Sequence, residues 1–397
     1  MTHKFFLIQL IVILISFNLF ASECEKAVKI ILPLDSNSPS NNFIVSKDYQ
    51  YATHLTQVIY NDPIFDKLCK VYNYSKDAIP GFQEYIYLAL YHGPSAYGVP
   101  YVTTTDYFPT NVNSTPIKGA VYHLSLTDID GRVDGLTDGI FQNGFFHEVG
   151  HVLLKNLVQN YPVRTLQSSG SSSVTNGPVA FDEGFAIFME LLLSSKLDSY
   201  WSDHYLAGYE AFWYKTEFGH FRPYGIINNI FVWDDWNDLN IYSVIEEGGH
   251  ELIYQDDFLK KENLRTLEQM LTNEGTIAGL LLKIVGVMST VDQDFEVDYL
   301  TTDLHYIYPS LVKLTSFISK YSITNMSSFL ENFFKDEEMR IYSLKVLDIL
   351  LETTYYAYGS KDYNQKYIEH KHEEISEDKY IRWKAEVYNT VRDELGI

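Results

Sequence analysis

The chain has 397 residues, 46% hydrophobic and 21% charged, enough for two or three domains or one large two-lobed enzyme with a real core. Its net charge of −22 argues against nucleic acid and anionic membranes as partners, because both require a basic surface. Aromatic residues make up 15%, with 32 Tyr, which can line carbohydrate or peptide grooves but more plainly fill cores and strand faces.

The first 21 residues read as a signal peptide: Lys4 supplies the positive end, and residues 5–20 form an apolar run broken only by Gln9, Ser16 and Asn18. The run is shorter and more interrupted than the ~20 apolar residues a membrane span needs. Leu19-Phe20-Ala21 offers a cleavage point, with Ser22 as second choice, and Glu23 before Cys24 argues against a lipid anchor. No later stretch reads as apolar enough to span, so the expectation is an exported chain, secreted or periplasmic, with no membrane anchor after cleavage. Cys24 and Cys69 would remain; in an oxidising compartment they either pair and tie down the new N-terminus or stay free thiols. Sequons begin at Asn73, Asn113 and Asn325.

A mixed α/β segment follows, over 22–165. Residues 27–34 read as a strand, 35–42 as a polar linker and 49–60 as a helix; 84–91, 98–103 and 117–126 read as further strands, the last with half-buried alternation. Asp128, Asp130, Gly131, Asp134 and Asp138 form an acidic loop of the kind Ca2+ favours, but the closing Glu of an EF-hand is missing and an ordinary strand-to-helix turn suits it better. Asn143 can cap a helix that stops before Pro162. A Ser- and Gly-rich loop, 167–177, leads to another helix beginning near Val179. Residues 166–255 thus join that helix to an aromatic segment, 200–255, with no clean period. Over 256–397 apolar residues recur at helical spacing, as at Leu264, Leu267, Met270 and Leu271, then over 277–288, 311–318 and 341–351. The run His370 to Glu374 looks metal-binding at first, but a solvated helix face fits it better.

Residues His147-Glu148-Val149-Gly150-His151 spell H-E-x-x-H. On a helix, residues four apart share a face, so the two imidazoles can meet one metal ion while Glu148 reaches a water bound to it. This is the core of a zinc-dependent hydrolase, with Glu148 as general base. Phe145, Phe146, Val149, Val152, Leu153 and Leu157 give the helix an apolar surface to bury, and Gly150 leaves room beside the second His. A catalytic zinc needs a third protein ligand and an open position. The extended form H-E-x-x-H-x-x-G-x-x-H is excluded, because Leu154 and Leu157 stand where its Gly and His belong.

The third ligand is expected at Glu183, in Phe181-Asp182-Glu183-Gly184-Phe185-Ala186. Gly184 and Ala186 are small, as two helices meeting at one metal require. Asp182 would point to a different face. Glu190 lies two turns on and is expected as the acceptor that holds a ligand His. Asn273-Glu274-Gly275 repeats part of the pattern but is remote.

His147, Glu148, His151 and Glu183 with Gly184, Phe185 and Ala186 resemble the gluzincins, zinc peptidases with H-E-x-x-H and a downstream Glu; the nearest group are aminopeptidases with Asn-Glu-Gly-Phe-Ala. The resemblance covers about residues 115–195. It implies an α+β, thermolysin-like two-lobed fold, a mixed sheet before a mainly helical lobe, acting on peptide or protein. The spacer to Glu183 is longer than in those enzymes. Where they carry Gly-x-Met-Glu-Asn, whose Glu grips the substrate amine, this chain has Gly119-Ala120-Val121-Tyr122-His123. Tyr122 in that place favours endopeptidase-like action, with the strand pairing to an extended substrate. Relatives use a downstream Tyr or His on the oxyanion; here His250, flanked by glycines, is preferred over Tyr242, Tyr254, His220 and Tyr224. Two other readings stay open: a toxin-like or glycoprotein-directed protease recognising its target through 200–255, and a non-catalytic binding protein that keeps the zinc fold. The intact Glu148 argues against the second.

Overall fold

The computed structural model describes residues 23–33, 42–45, 50–61, 63–92, 101–106, 110–112, 115–117, 121–126, 139–158, 161–162, 175–194, 241–246, 249–254, 266–295 and 304–397. Residues 1–21, expected to be a signal peptide, lie outside them, as do the acidic stretch 128–138, Asn113, His220 and Tyr224.

A short helix α1 (Glu23–Ala27) leads into β1 (Val28–Pro33), then β2 (Asn42–Val45), α2 (Gln50–Asn61) and α3 (Pro63–Ala78). Five strands follow: β3 (Ile86–His92), β4 (Tyr101–Asp106), β5 (Thr110–Val112), β6 (Thr115–Ile117) and β7 (Val121–Leu126). Of the expected strand at 117–126, Ile117 ends β6 and residues 121–126 form β7, while 118–120 lie outside the described residues. Helix α3 has no counterpart in the sequence expectations. Its apolar side is nonetheless helical in period, with Phe65, Leu68, Cys69 and Tyr72 all buried.

The seven strands form one mixed sheet in the order β4-β7-β3-β1-β2-β5-β6. β1, β3 and β7 run parallel, which needs crossovers such as the α2–α3 pair between β1 and β3. β4 is antiparallel to β7 and ends the sheet. The aromatic segment contributes a separate hairpin of β8 (Ile241–Glu246) and β9 (Gly249–Tyr254).

Helix α4 (Gly139–Leu157) carries H-E-x-x-H and packs on β4 and β7. It begins a full turn before Asn143, which lies inside it instead of capping it; Ile140 and Phe141 extend the apolar run backwards. Helix α5 (Gly177–Ser194) is capped by Asn176, whose Oδ1 accepts the Val179 N–H at 3.0 Å. The described residues that follow are mainly helical: α6 (Leu267–Leu271), α7 (Glu274–Gln293), α8 (Leu304–Tyr321), α9 (Met326–Lys335), a 3-10 turn (Arg340–Tyr342), α10 (Ser343–Thr353), α11 (Tyr363–Lys371) and α12 (Glu377–Leu395). α6 stops early because Thr272 and Asn273 turn the chain, and Asn273 starts α7 by accepting the Thr276 N–H at 2.8 Å. α7 corrects one expectation: by length and composition it could cross a membrane. Yet 78% of its apolar window is packed inside the protein, against α5, α8 and α10, as the axis of the helical part. One continuous apolar core runs from Cys24 to Val391 and joins sheet and helices.

His370 stacks flat on Tyr380, centroids 4.2 Å apart, and its Nε2 lies 3.4 Å from Glu377. The run 370–374 is therefore the end of α11 and a turn against α12.

Two features fix the ends of the fold. Cys24 and Cys69 form a disulfide that pins α1 to α3 across 45 residues. Around it the Glu23 N–H donates to Asp66 and the Asn73 amide donates to Glu23. Reduction, or Cys24→Ser with Cys69→Ser, should cost about 2–4 kcal/mol, seen as a lower thermal midpoint with reductant than without. In the helical part, Asp336 accepts from Lys320 and Tyr321, both at 2.7 Å, and from the backbone N–H groups of Glu338 and Met339. Burial works to raise its pKa, but these donors outweigh it and hold the carboxyl below its usual 3.8. The stabilisation is thus present above about pH 4 and lost as pH falls through the lower folded value. Asp336→Asn should cost about 2–3 kcal/mol at neutral pH and flatten the acid limb of a stability–pH curve measured by denaturant unfolding.

Candidate metal centre

The site forms where α4 crosses α5. On α4 the aromatic and aliphatic residues 145, 146, 149, 152, 153, 154 and 157 are buried, so the helix is held on several sides. Phe181, Phe185 and Phe188 do the same for α5. The crossing is tight for a reason the sequence supplies. A Cβ on Gly150 would lie 2.8 Å from the Cα of Ala186 and 3.3 Å from the Cβ of Met189. One on Gly184 would lie 2.7 Å from Ile277 and 2.9 Å from the Glu274 carbonyl oxygen. The two glycines let α5 approach α4 on one side and α7 on the other, and Glu183 is carried between them onto the histidines.

His147, His151 and Glu183, all buried, place one potential ligand atom each within 4.8 Å of one another; this group could hold a metal ion. Glu183 Oε2 lies 3.5 Å from His147 Nε2 and 3.7 Å from His151 Nε2. Ligands at 2.0–2.2 Å from a tetrahedral ion stand about 3.3–3.6 Å apart, so the spacing fits with a shift of a tenth or two. The rings meet nearly edge to face, with centroids 4.9 Å apart. Among the described residues this is the one such group.

The far side of each ring is also engaged. His147 Nδ1 lies 3.0 Å from Glu190 Oε2, and His151 Nδ1 lies 2.7 Å from Asp182 Oδ1. A carboxylate only accepts, so both Nδ1 atoms carry the hydrogen, and in the neutral ring each Nε2 has a lone pair directed at the site. The other oxygen of Asp182 takes the Lys155 ammonium at 3.0 Å. Burial works to lower the His151 pKa, but the Asp182 and Glu183 carboxylates outweigh it and raise it. Burial works to raise the pKa of Asp182, but His151 and Lys155 outweigh it and hold the carboxyl charged. Proton and metal ion therefore compete for the same buried nitrogen, and acid favours the proton.

Glu148 is buried on α4 beside His147. Glu190 meets His147, and Glu274 is buried at the start of α7, outside the three-residue group. His250 stands on β9 opposite Ile245, with Tyr242 and Tyr254 in the same hairpin. Tyr122 lies on β7, opposite Leu88 and Thr105. Two participants escape sequence reasoning: Asp182 and Lys155. Their signals were present, an acid next to Glu183 and a cation one helical turn past His151. Tyr161 is buried, and its hydroxyl donates to the Pro178 carbonyl at 2.7 Å.

Comparison with known proteins gives no match: no family model, no curated protein and no solved structure is similar to the chain.

The tight crossing makes a specific demand. Gly150→Ala should force the two helices apart, costing about 1–3 kcal/mol. Metal-ion affinity, read by chelator competition, should fall alongside the thermal midpoint. A substitution on the outer face of α12, such as Glu386→Ala, should change neither.

Proposed function

We propose that the chain is an exported zinc-dependent peptidase that hydrolyses internal peptide bonds. The observation that carries this reading is the meeting of His147 Nε2, His151 Nε2 and Glu183 Oε2, with each Nδ1 held by a carboxylate. Two imidazoles and one carboxylate in a compact array suit zinc, with a fourth position left for substrate or water. Harder ions such as Mg2+ and Ca2+ prefer six or more oxygen ligands. A zinc ion bound there would supply Lewis-acid chemistry, polarising a carbonyl and acidifying water.

The protein's own groups would then do the following. Glu148 accepts a proton from the water as its oxygen bonds to the carbonyl carbon. Glu148 next delivers that proton to the amide nitrogen as the C–N bond breaks, which leaves one carboxylic acid and one amine. Glu190 and Asp182 accept the Nδ1 hydrogens of His147 and His151, so each ring is oriented with Nε2 towards the site. An oxyanion donor is still required, and His250 remains the preferred candidate.

Substrate alignment favours an extended peptide. β7 pairs with β3 on one side and β4 on the other, so both its edges are taken. An extended substrate would therefore pair with β4 and not with β7: among the described residues nothing pairs with the outer edge of β4. β4 packs on α4, which places that edge near the metal helix. Tyr122 offers no charge to an N-terminal ammonium, which supports endopeptidase over aminopeptidase action. The Cys24–Cys69 disulfide supports an oxidising compartment and hence export.

Glu148→Gln should bind zinc with wild-type affinity and lose about 10²–10⁴-fold in hydrolysis of an unfolded protein substrate. Chelation of the wild type should abolish turnover, and zinc should restore it. Full activity in Glu148→Gln would overturn the mechanism. Stoichiometric zinc without any hydrolysis would favour the binding-protein reading.

A further inference from the structure

Helices α4 and α5 bring four buried carboxylates to one place: Glu148, Asp182, Glu183 and Glu190. Lys155 is the single Lys or Arg on either helix. Its side chain is only 2% exposed, and a buried ammonium is costly unless an anion and hydrogen bonds compensate it. A divalent ion and Lys155 together would offset three of the four negative charges.

The geometry gives Lys155 a more specific role than charge balance. It lies four residues after His151, so the two side chains share one face of α4. Asp182 bridges them with one oxygen each: Oδ1 to His151 Nδ1 at 2.7 Å and Oδ2 to Lys155 Nζ at 3.0 Å. A carboxylate held at one oxygen can pivot about that bond, whereas one held at both is fixed in plane and direction. His147 has a different arrangement, in which Glu190 supplies the contact. The two ring positions are therefore set by separate devices.

We propose that Lys155 is a positioning residue of the metal centre: it locks the Asp182 carboxylate so that the His151 ring presents Nε2 to the ion at a fixed angle. This rests on the metal reading above. Lys155 touches neither substrate nor ion and acts only through Asp182 and His151. Partners in this position typically change metal affinity 10–100-fold.

The test uses the full mature chain, with Zn2+ affinity measured by chelator competition and the visible absorption of the Co2+-loaded protein as a report on ligand geometry. Lys155→Met should weaken Zn2+ binding about 10–100-fold and alter the intensity or position of the Co2+ bands. Because this variant strands a buried carboxylate and can fail to fold, the double variant Lys155→Met with Asp182→Asn is the companion. It removes both charges, so the metal-free protein should regain thermal stability, while the Zn2+ affinity and Co2+ spectrum stay perturbed. Wild-type affinity and spectrum in the double variant would overturn the proposal and leave Lys155 as a tie between two helices. A wild-type protein that takes up neither ion would overturn the metal reading itself, and this proposal with it.

Discussion

At Gly150 the backbones of α4 and α5 come within a distance that no side chain could share, and the candidate site depends on that contact. A Cβ there would sit 2.8 Å from the Ala186 backbone. With the helices this close, a carboxylate from α5 reaches two imidazoles on α4 without an intervening loop. Gly184 repeats the device on the opposite side, where α5 meets α7 at Ile277. α5 is thus clamped between two helices. Its register, and so the position of Glu183, is set by close packing along its length.

Such a site carries an electrostatic cost. Four carboxylates and two histidines are withdrawn from water on two neighbouring helices, and unpaired they would oppose folding. The structure answers with pairing: Glu190 on His147, Asp182 on both His151 and Lys155. The remaining acid of the group, Glu183, lies where the three potential ligand atoms converge. The same arrangement therefore limits the instability of the buried charges and creates an attraction for a cation. Fold and site are coupled because neither helix could tolerate these residues alone.

Much of this was legible in the residues, with identifiable gaps. H-E-x-x-H announces a two-histidine helix because its spacing matches the helical turn, and α4 is that helix. β1 and α2 lie within one residue of their expected bounds, since apolar pattern and polar flanks agree there. Helix α3 is hard to read from the sequence although Phe65, Leu68, Cys69 and Tyr72 keep helical period, because interspersed polar residues and Pro63 obscure it. Asn143 looked like a cap, but tertiary packing of α4 on the sheet extends the helix past that local signal. α7 passes for a membrane span on composition alone, and only its burial among other helices shows it to be a core element. Asp182, next to Glu183 in sequence, points to a different face of α5, and that divergence puts it behind the His151 ring.

The sequence by itself determined the local chemistry: a two-histidine helix with an adjacent carboxylate, a second helix carrying an acid among small residues, and cysteines able to pair. These follow from covalent spacing and helical period, which need no partner. Only the tertiary structure decided which carboxylates go where. It set Glu183 between the two Nε2 atoms, Glu190 and Asp182 on the two Nδ1 atoms, and Lys155 behind Asp182. Among the described residues it also left β4, and not β7, with an unpaired edge. The reason is physical: helix crossing and strand order depend on contacts between segments far apart in the chain, and no local pattern encodes their relative position.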